Sequence, residues 1–268
     1  MKKIILLKLG GSLITDKTKP YVLMGKNIKQ IVHEVNTALE KDKTIRLIIG
    51  TGTGSFGHYP VQQFRIEKGS KTESQKYGFC SVHHSALKLN QIIVEELLKN
   101  TIKAFSLHPS SMMTAKNGVI TDFYYEPIMQ MIDMGIVPVV HGDMIYDKTL
   151  GSKICSVEQL FSELIIRLYK NESHKIVMIY AGSTDGVLDS NGKTIATITI
   201  KSIGRIQSPF FETKGYDVTG GMKTKVMDCL GMAQYGVDSF LINGSSKGNI
   251  EKILLGGRVR GTKIISEE

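Results

Sequence analysis

The chain has 268 residues, 41% of them hydrophobic and 22% charged, which is enough length and apolar mass for one large α/β domain or two small ones. Its formal charge of +9 comes from Lys and Arg scattered along the whole sequence. With no basic tail and no basic stripe interleaved with aromatics, that excess argues against a nucleic-acid partner and suits an anionic small molecule drawn into a charged cleft. Cys80, Cys155 and Cys229, odd in number and without CxxC spacing, indicate neither a disulfide framework nor a metal site and are expected to be buried, reduced thiols. No stretch reaches the length of a membrane span, and the apolar run after Lys2-Lys3 is too short for a signal peptide. A cytoplasmic protein without a membrane partner is expected.

The apolar runs at 4–9 and 44–49 predict short buried strands. Between them, Ile28, Ile31, Val32, Val35 and Leu39 recur at helical spacing over 27–40, completing a β-α-β unit. A long helix or helix pair is predicted over 74–99, strands over 104–107 and 136–140, and a hairpin turn at Asn117-Gly118 between these two. A helix over 157–169 leads into a strand over 175–180. Further strands are predicted at 194–200, 239–242 and 262–265, with helices over 221–235 and 246–254. Such alternation predicts a mostly parallel central sheet covered by helices on both faces, a three-layer αβα sandwich. No linker or repeat interrupts it, so a single domain with two lobes is expected.

The chemistry concentrates where strands end in glycine turns. Gly52 to His58 follows the strand at 44–49, and glycines there let backbone N–H groups converge on an anion while His58 adds a donor able to carry charge near neutral pH. Gly52-x-Gly54-x-x-Gly57 fits the dinucleotide fingerprint only in its glycines, because the polar 67–71 segment supplies no following acidic strand end. Neither the Gly-Lys-Ser/Thr of a P-loop nor the other signatures of a protein kinase are present.

Lys8-Leu9-Gly10-Gly11-Ser12 sets an ammonium group and unhindered amides at the end of the first strand, with Lys17 a few residues on. Gly220-Gly221 opens a helix whose first turn carries Lys223 and Lys225, an arrangement that opposes the helix dipole unless an anion sits there. Other residues have plainer readings. His83 and His84 are neighbours on one helix and point to different faces, poor geometry for one metal. His141-Gly142-Asp143 suits a turn shaping the acceptor site, and Met112-Met113 and Met129 to Met134 suit an adaptable core.

Together these segments resemble the amino acid kinase superfamily, and within it the isopentenyl phosphate kinases. The resemblance covers essentially the whole chain. It rests on Lys-Leu-Gly-Gly-Ser-Leu-Ile-Thr-Asp-Lys at 8–17, Pro20-Tyr21, Gly-Ser-Phe-Gly-His at 54–58, Pro109-Ser110-Ser111, Val-Pro-Val-Val-His-Gly-Asp at 137–143, Asp185-Gly186-Val187 and Asp-Val-Thr-Gly-Gly-Met-Lys at 217–223. It implies a single amino acid kinase domain, with an acceptor-binding lobe at about 1–170 and a nucleotide-binding lobe at about 171–268.

It further implies that ATP is held by Lys8, Gly10, Gly11, Ser12, Gly54, Ser183, Asp185, Gly220, Gly221, Lys223 and Lys225, with Mg²⁺ carried by the nucleotide rather than by protein ligands. The acceptor phosphate is implied at Gly52, Thr53, Gly54 and His58, with Val157 and Glu158 nearby. The apolar tail is implied against Phe79, Val82, His83 and Ala86. Lys8, Lys17, His58 and Lys223 are the implied catalytic groups, and a homodimer the implied assembly.

Many relatives read Ser/Thr-Gly-Asp where this chain has Ser156-Val157-Glu158, and Glu158 is expected to orient the lysines. Gly182-Ser183-Thr184 likewise departs from a usual Thr-Asp-Val. The expected activity is ATP-dependent phosphorylation of isopentenyl phosphate to its diphosphate. The alternatives are a fosfomycin-type phosphonate kinase and a non-catalytic nucleotide-binding sensor.

Overall fold

Side chains in a strand alternate between faces, and the first strand of this protein uses both. In the computed structural model, which describes residues 2–169, 174–206 and 221–267, β1 (Lys2–Leu9) sends Ile4 and Leu6 into one hydrophobic cluster and Ile5, Leu7 and Leu9 into another. The two clusters are the two faces of one sheet. Helices α2 (Gly25–Lys41), α4 (Glu73–Lys99) and α9 (Asn249–Leu254) cover the Ile5 face through Ile31, Val35, Leu89, Ile93 and Ile250. Helices α7 (Val157–Tyr169) and α8 (Gly221–Ala233) cover the Ile4 face through Phe161, Leu164, Val226 and Leu230.

The remaining strands of this sheet are β2 (Arg46–Thr51), β3 (Ala104–Ser106), β6 (Val137–His141), β9 (His174–Gly182), β10 (Thr197–Ile198), β11 (Asp238–Asn243) and β12 (Gly261–Ile264). Among the described residues they form an eight-stranded sheet in the order β10-β12-β11-β9-β1-β2-β6-β3, and only the β11–β12 pairing is antiparallel. The expected αβα sandwich with a mostly parallel sheet is therefore present. The helix predicted over 27–40 and the one over 74–99 each lie within a residue or two of the observed elements. Thr72 caps α4, accepting from the Gln75 amide while the Gln75 side chain accepts from the Thr72 amide.

Some elements differ from the expectation. The strand predicted at 194–200 shrinks to two residues, and the helix predicted at 246–254 begins only after Gly248, whose φ of 84° breaks the regular backbone. The Gly52–His58 turn is shorter than read: α3 (Gly54–Phe64) starts inside it. Cys155 and Cys229 are buried, but Cys80 is exposed on α4.

The sequence reading also missed a second sheet of four strands. It is ordered β5-β4-β7-β8, from β4 (Met113–Lys116), β5 (Val119–Phe123), β7 (Asp143–Asp147) and β8 (Gly151–Cys155). Strands of four or five residues are too short for periodicity to reveal. The Asn117-Gly118 turn does join β4 to β5, with positive φ at both residues, and the Asp147 carboxylate accepts both of their amides at 3.0 and 2.7 Å. Three short helices, α1 (Gly11–Ile14), α5 (Pro109–Met112) and α6 (Glu126–Asp133), and a 3₁₀ turn at Ile203–Arg205 complete the described elements.

Gly50 shows how tightly α7 sits on β2. A Cβ there would lie 2.3 Å from Val157 Cγ1 and 2.7 Å from Phe161 Cζ. The valine is thus accommodated by the absence of a side chain opposite it. Gly50→Ala is expected to lower unfolding stability by about 1–3 kcal/mol through overpacking, and adding Val157→Ala to recover part of the loss. Chemical denaturation of both single variants and the double variant checks this, and simple additivity would break the link between the two positions.

Candidate functional site at the carboxyl edge of the sheet

The parallel registers bring four strand ends side by side. Leu9 stands opposite Thr51 on one neighbour and Ala181 on the other, while Thr51 stands opposite His141. The turns that follow β9, β1, β2 and β6 therefore line one edge in that order. Open α/β sheets bind ligands at such an edge, where connections diverge on either side of a central strand. Here that strand is β1.

The turns after β1 and β2 are pressed together backbone to backbone. A Cβ on Gly11 would fall 2.6 Å from Gly54 Cα, and one on Gly54 would fall 2.0 Å from Thr15 Oγ1 and 2.8 Å from Gly11 O. Hydrogen bonds stitch the contact: Gly52 N–H donates to Leu9 O at 2.9 Å, Ser55 N–H to Thr15 Oγ1 at 3.0 Å, and Thr15 Oγ1 to Gly11 O at 2.8 Å. The Gly10 amide is committed to Ala181 O at 2.8 Å. The amides of Gly11 and Ser12 instead lie ahead of the first intrahelical bond of α1, which Leu13 donates to Gly10 O. Those of Thr53 and Gly54 stand in the same relation to α3, whose first such bond runs from Phe56 to Thr53 O.

Lys8 shares the face of Ile4 and Leu6 and points toward α7. Its Nζ lies 2.5 Å from Glu158 Oε1, with both residues buried. Burial pushes the Glu158 carboxyl up, but the Lys8 ammonium outweighs it through charge and hydrogen bond, Lys225 adds to the pull, and the net result is a carboxyl held below its usual range. Glu158, expected to orient the lysines, is in direct contact with Lys8. Lys225 lies partly buried and Lys223 exposed on the first turn of α8, which opens at Gly221 with φ 68°.

Lys17 is exposed on the loop after α1, at the tip of a turn closed by the Thr15–Leu23 bridge. Tyr21 on that loop packs edge-on against Phe56 of α3, with ring centroids 5.5 Å apart, so the loop is tied to the second glycine turn. Ser183 and Asp185 follow β9 beside the Gly10 turn, and Asp185 pairs with Arg260 at 3.4 Å. Gly220, with Asp217, Val218 and Thr219 before it, lies outside the described residues.

On the other side of the edge, His58 sits half-buried in α3. The residues expected to line the tail are divided. Val82 packs with Val61, Ile66 and Met144, with Phe79 partly buried against them, and Ala86 is also buried. His83 is a third exposed and donates or accepts at Nδ1 with Asp143 Oδ1 at 2.8 Å, whereas His84 is exposed. Beside this pair, His108 Nδ1 lies 3.0 Å from His141 Nε2. The sequence reading missed His108 and the Asp143–His83 pair, because no spacing links α4 to the start of β7. Among the described residues no group of three His, Cys, Asp or Glu is arranged to hold a metal ion.

Glu158→Gln tests the central ion pair. At pH 7 it is expected to destabilise the protein by about 3 kcal/mol or more, since Lys8 would remain buried without its counter-charge. Because the folded carboxyl titrates below its usual value, the wild-type advantage is complete above the unfolded glutamate pKa and fades as pH falls through the folded one. Denaturation midpoints of both proteins from neutral to acid pH read it directly; a constant difference would remove the linkage.

The amino acid kinase family matches residues 3–243 of the chain. Isopentenyl phosphate kinase of Methanocaldococcus jannaschii is 34% identical over 97% of this chain and 97% of its own length. That of Methanothermobacter thermautotrophicus is also 34% identical, over 97% of this chain and 98% of its own. A solved structure described as X-ray structures of isopentenyl phosphate kinase superposes with a TM-score of 0.80 at 30% identity, covering 97% of this chain and 99% of the other. With its strand order, its paired glycine turns and a match over nearly its whole length, the chain belongs to the amino acid kinase family.

Proposed function

We propose that the chain is a kinase that transfers the γ-phosphoryl group of ATP to isopentenyl phosphate, giving the diphosphate. The observation that carries this reading is the contact of the Gly10–Gly11 and Gly52–Gly54 turns, which sets two anion-binding loops against each other at one sheet edge. A donor phosphate on the first and an acceptor phosphate on the second would meet between them. Relatives similar over nearly the full length carry that enzyme's name, which supports the acceptor.

Phosphoryl transfer requires positioning and charge neutralisation more than covalent help from the protein. Lys8, fixed by Glu158, and the Gly11 and Ser12 amides hold the donor's phosphates, assisted by Lys223, Lys225, Gly221 and the Ser183–Asp185 segment. Thr53, Gly54 and His58 hold the acceptor phosphate. Lys17, on its exposed loop, reaches the migrating group. The acceptor is already ionised near pH 7, so no general base is required. Mg²⁺ belongs to the nucleotide in this reading, because the residues gathered here are cations and amides, which bind phosphate oxygens rather than the metal; bound with ATP it would neutralise phosphate charge.

The two lobes expected from the sequence, division near residue 170, a homodimeric assembly and a cytoplasmic setting complete the proposal. Among the described residues, no helix is long and apolar enough to cross a membrane.

A coupled assay with ATP over isopentenyl phosphate, dimethylallyl phosphate, longer prenyl phosphates and fosfomycin tests the acceptor. Isopentenyl phosphate should give the highest kcat/KM; fosfomycin as the preferred acceptor would replace the reading with phosphonate phosphorylation, and no turnover with any would leave a nucleotide sensor. His58→Ala should lower kcat/KM for the acceptor roughly 100-fold, with ATP binding nearly unchanged. Lys17→Met should lower kcat with little change in either KM, as expected for a group that touches the phosphoryl only during transfer. A raised acceptor KM with kcat intact would reassign it to ground-state binding.

A further inference from the structure

Asp143 opens β7 with its side chain sealed from solvent, where an ionised carboxylate needs donors. It has three: Oδ1 meets His83 Nδ1 at 2.8 Å and the Met144 amide at 2.8 Å, and Oδ2 accepts the Ser110 amide at 3.2 Å. His83 is thereby held through one ring nitrogen while a third of its side chain, 34%, stays open.

The same turn is held from its other side. His141 Nδ1 is 2.9 Å from Gly142 O, so it carries the proton, and Nε2 is left to accept from His108 Nδ1. Both histidine systems thus converge on His141-Gly142-Asp143. Gly142 in turn touches the acceptor loop: its amide donates to Thr51 O at 3.0 Å, and a Cβ on it would be 3.2 Å from the Thr53 methyl. Two buried polar atoms without a protein partner, Thr51 Oγ1 and Asn90 Nδ2, belong to the strand and helix that flank this turn.

Charge within the cluster is uneven. The hydrogen bond to Asp143 raises the His83 pKa against the opposing effect of burial. Burial lowers those of His108 and His141. The titratable groups that interact with His83 are Asp143 from β7, His141 from the end of β6 and His108 from the segment after β3; the α3 helix packed along α4 also carries the titratable His58 and Tyr59.

We propose that His83 is a positioning residue for the acceptor: through Asp143 it holds the His141–Asp143 turn against Thr53, and its imidazolium makes acceptor use stronger when protonated. The inference rests on the kinase reading above and deepens it. A plain apolar tail wall would have no need of an ionised, buried partner for this ring.

The test compares wild type, His83→Gln and His83→Ala between pH 5.5 and 9 with an acceptor that the wild type turns over. Glutamine can still donate to Asp143 but does not titrate. A raised folded pKa means the charge is present at low pH and lost as pH rises through it. The wild-type to His83→Gln ratio of acceptor kcat/KM should therefore fall with rising pH, by roughly tenfold across the range, and approach unity at the alkaline end. His83→Ala should raise the acceptor KM roughly tenfold at every pH while the KM for ATP stays put.

A ratio that does not change with pH overturns the proposal and leaves the kinase reading intact, whereas a wild type that phosphorylates no acceptor removes the kinase reading itself. Should the variants fail to fold, the imidazole of His83 can be titrated by NMR in the wild type: saturating acceptor should raise its pKa, and an unmoved titration overturns the proposal.

Discussion

The backbone contact between Gly10–Gly11 and Gly52–Gly54 sets the geometry of the whole edge. Parallel pairing of β1 with β2 ends both strands at the same level, so their turns must either diverge or touch. Glycines let them touch, and Thr15 locks the contact by accepting from Ser55 and donating to Gly11. Any side chain at Gly11 or Gly54 would occupy space already taken by main-chain atoms of the other loop. The same glycines that leave amides unhindered are thus first required for the two loops to coexist. The Lys17 loop depends on this arrangement too, since Tyr21 rests on Phe56.

Behind the loops, the ion pair of Lys8 and Glu158 supplies charge that burial alone would not tolerate. The lysine in an apolar strand next to Leu7 and Leu9 meets a carboxylate on α7, and its ammonium holds that buried carboxyl below its usual range. Val157, beside Glu158, would collide with any side chain on β2 at position 50. Gly50, which carries no side chain, leaves room for Val157 across the interface between β2 and α7.

Across the edge, beside the turn after β6, the structure is built differently. There the second sheet, through β7, places Asp143 beneath α4, and three histidines gather round one buried carboxylate. Near the first glycine turn the buried charge is a lysine met by Glu158, whereas here Asp143 raises the pKa of His83 while burial lowers those of His108 and His141. On the Lys8 side, Asp228 of α8 is a further perturbed group, its pKa pushed up to about 6 by burial and then by the charge of Glu158.

Periodicity in the sequence determined the sandwich, because long amphipathic helices such as 27–40 and continuous apolar strands such as 4–9 must each bury a face. Glycine and charge beside a buried strand also marked Lys8, Gly10 and Gly54 as lying where a strand gives way to a turn, and β1 and β2 do end there. The second sheet was not legible: four strands of four or five residues carry too little pattern, and their pairing of β4 with β7 joins residues far apart in the chain. Nor was the division of the α4 wall, where Val82 turned inward to Val61 and Met144 while His83 met Asp143. Only tertiary structure decides such contacts, because they depend on which strand end arrives beneath which turn of helix, and local sequence spacing carries no term for that meeting.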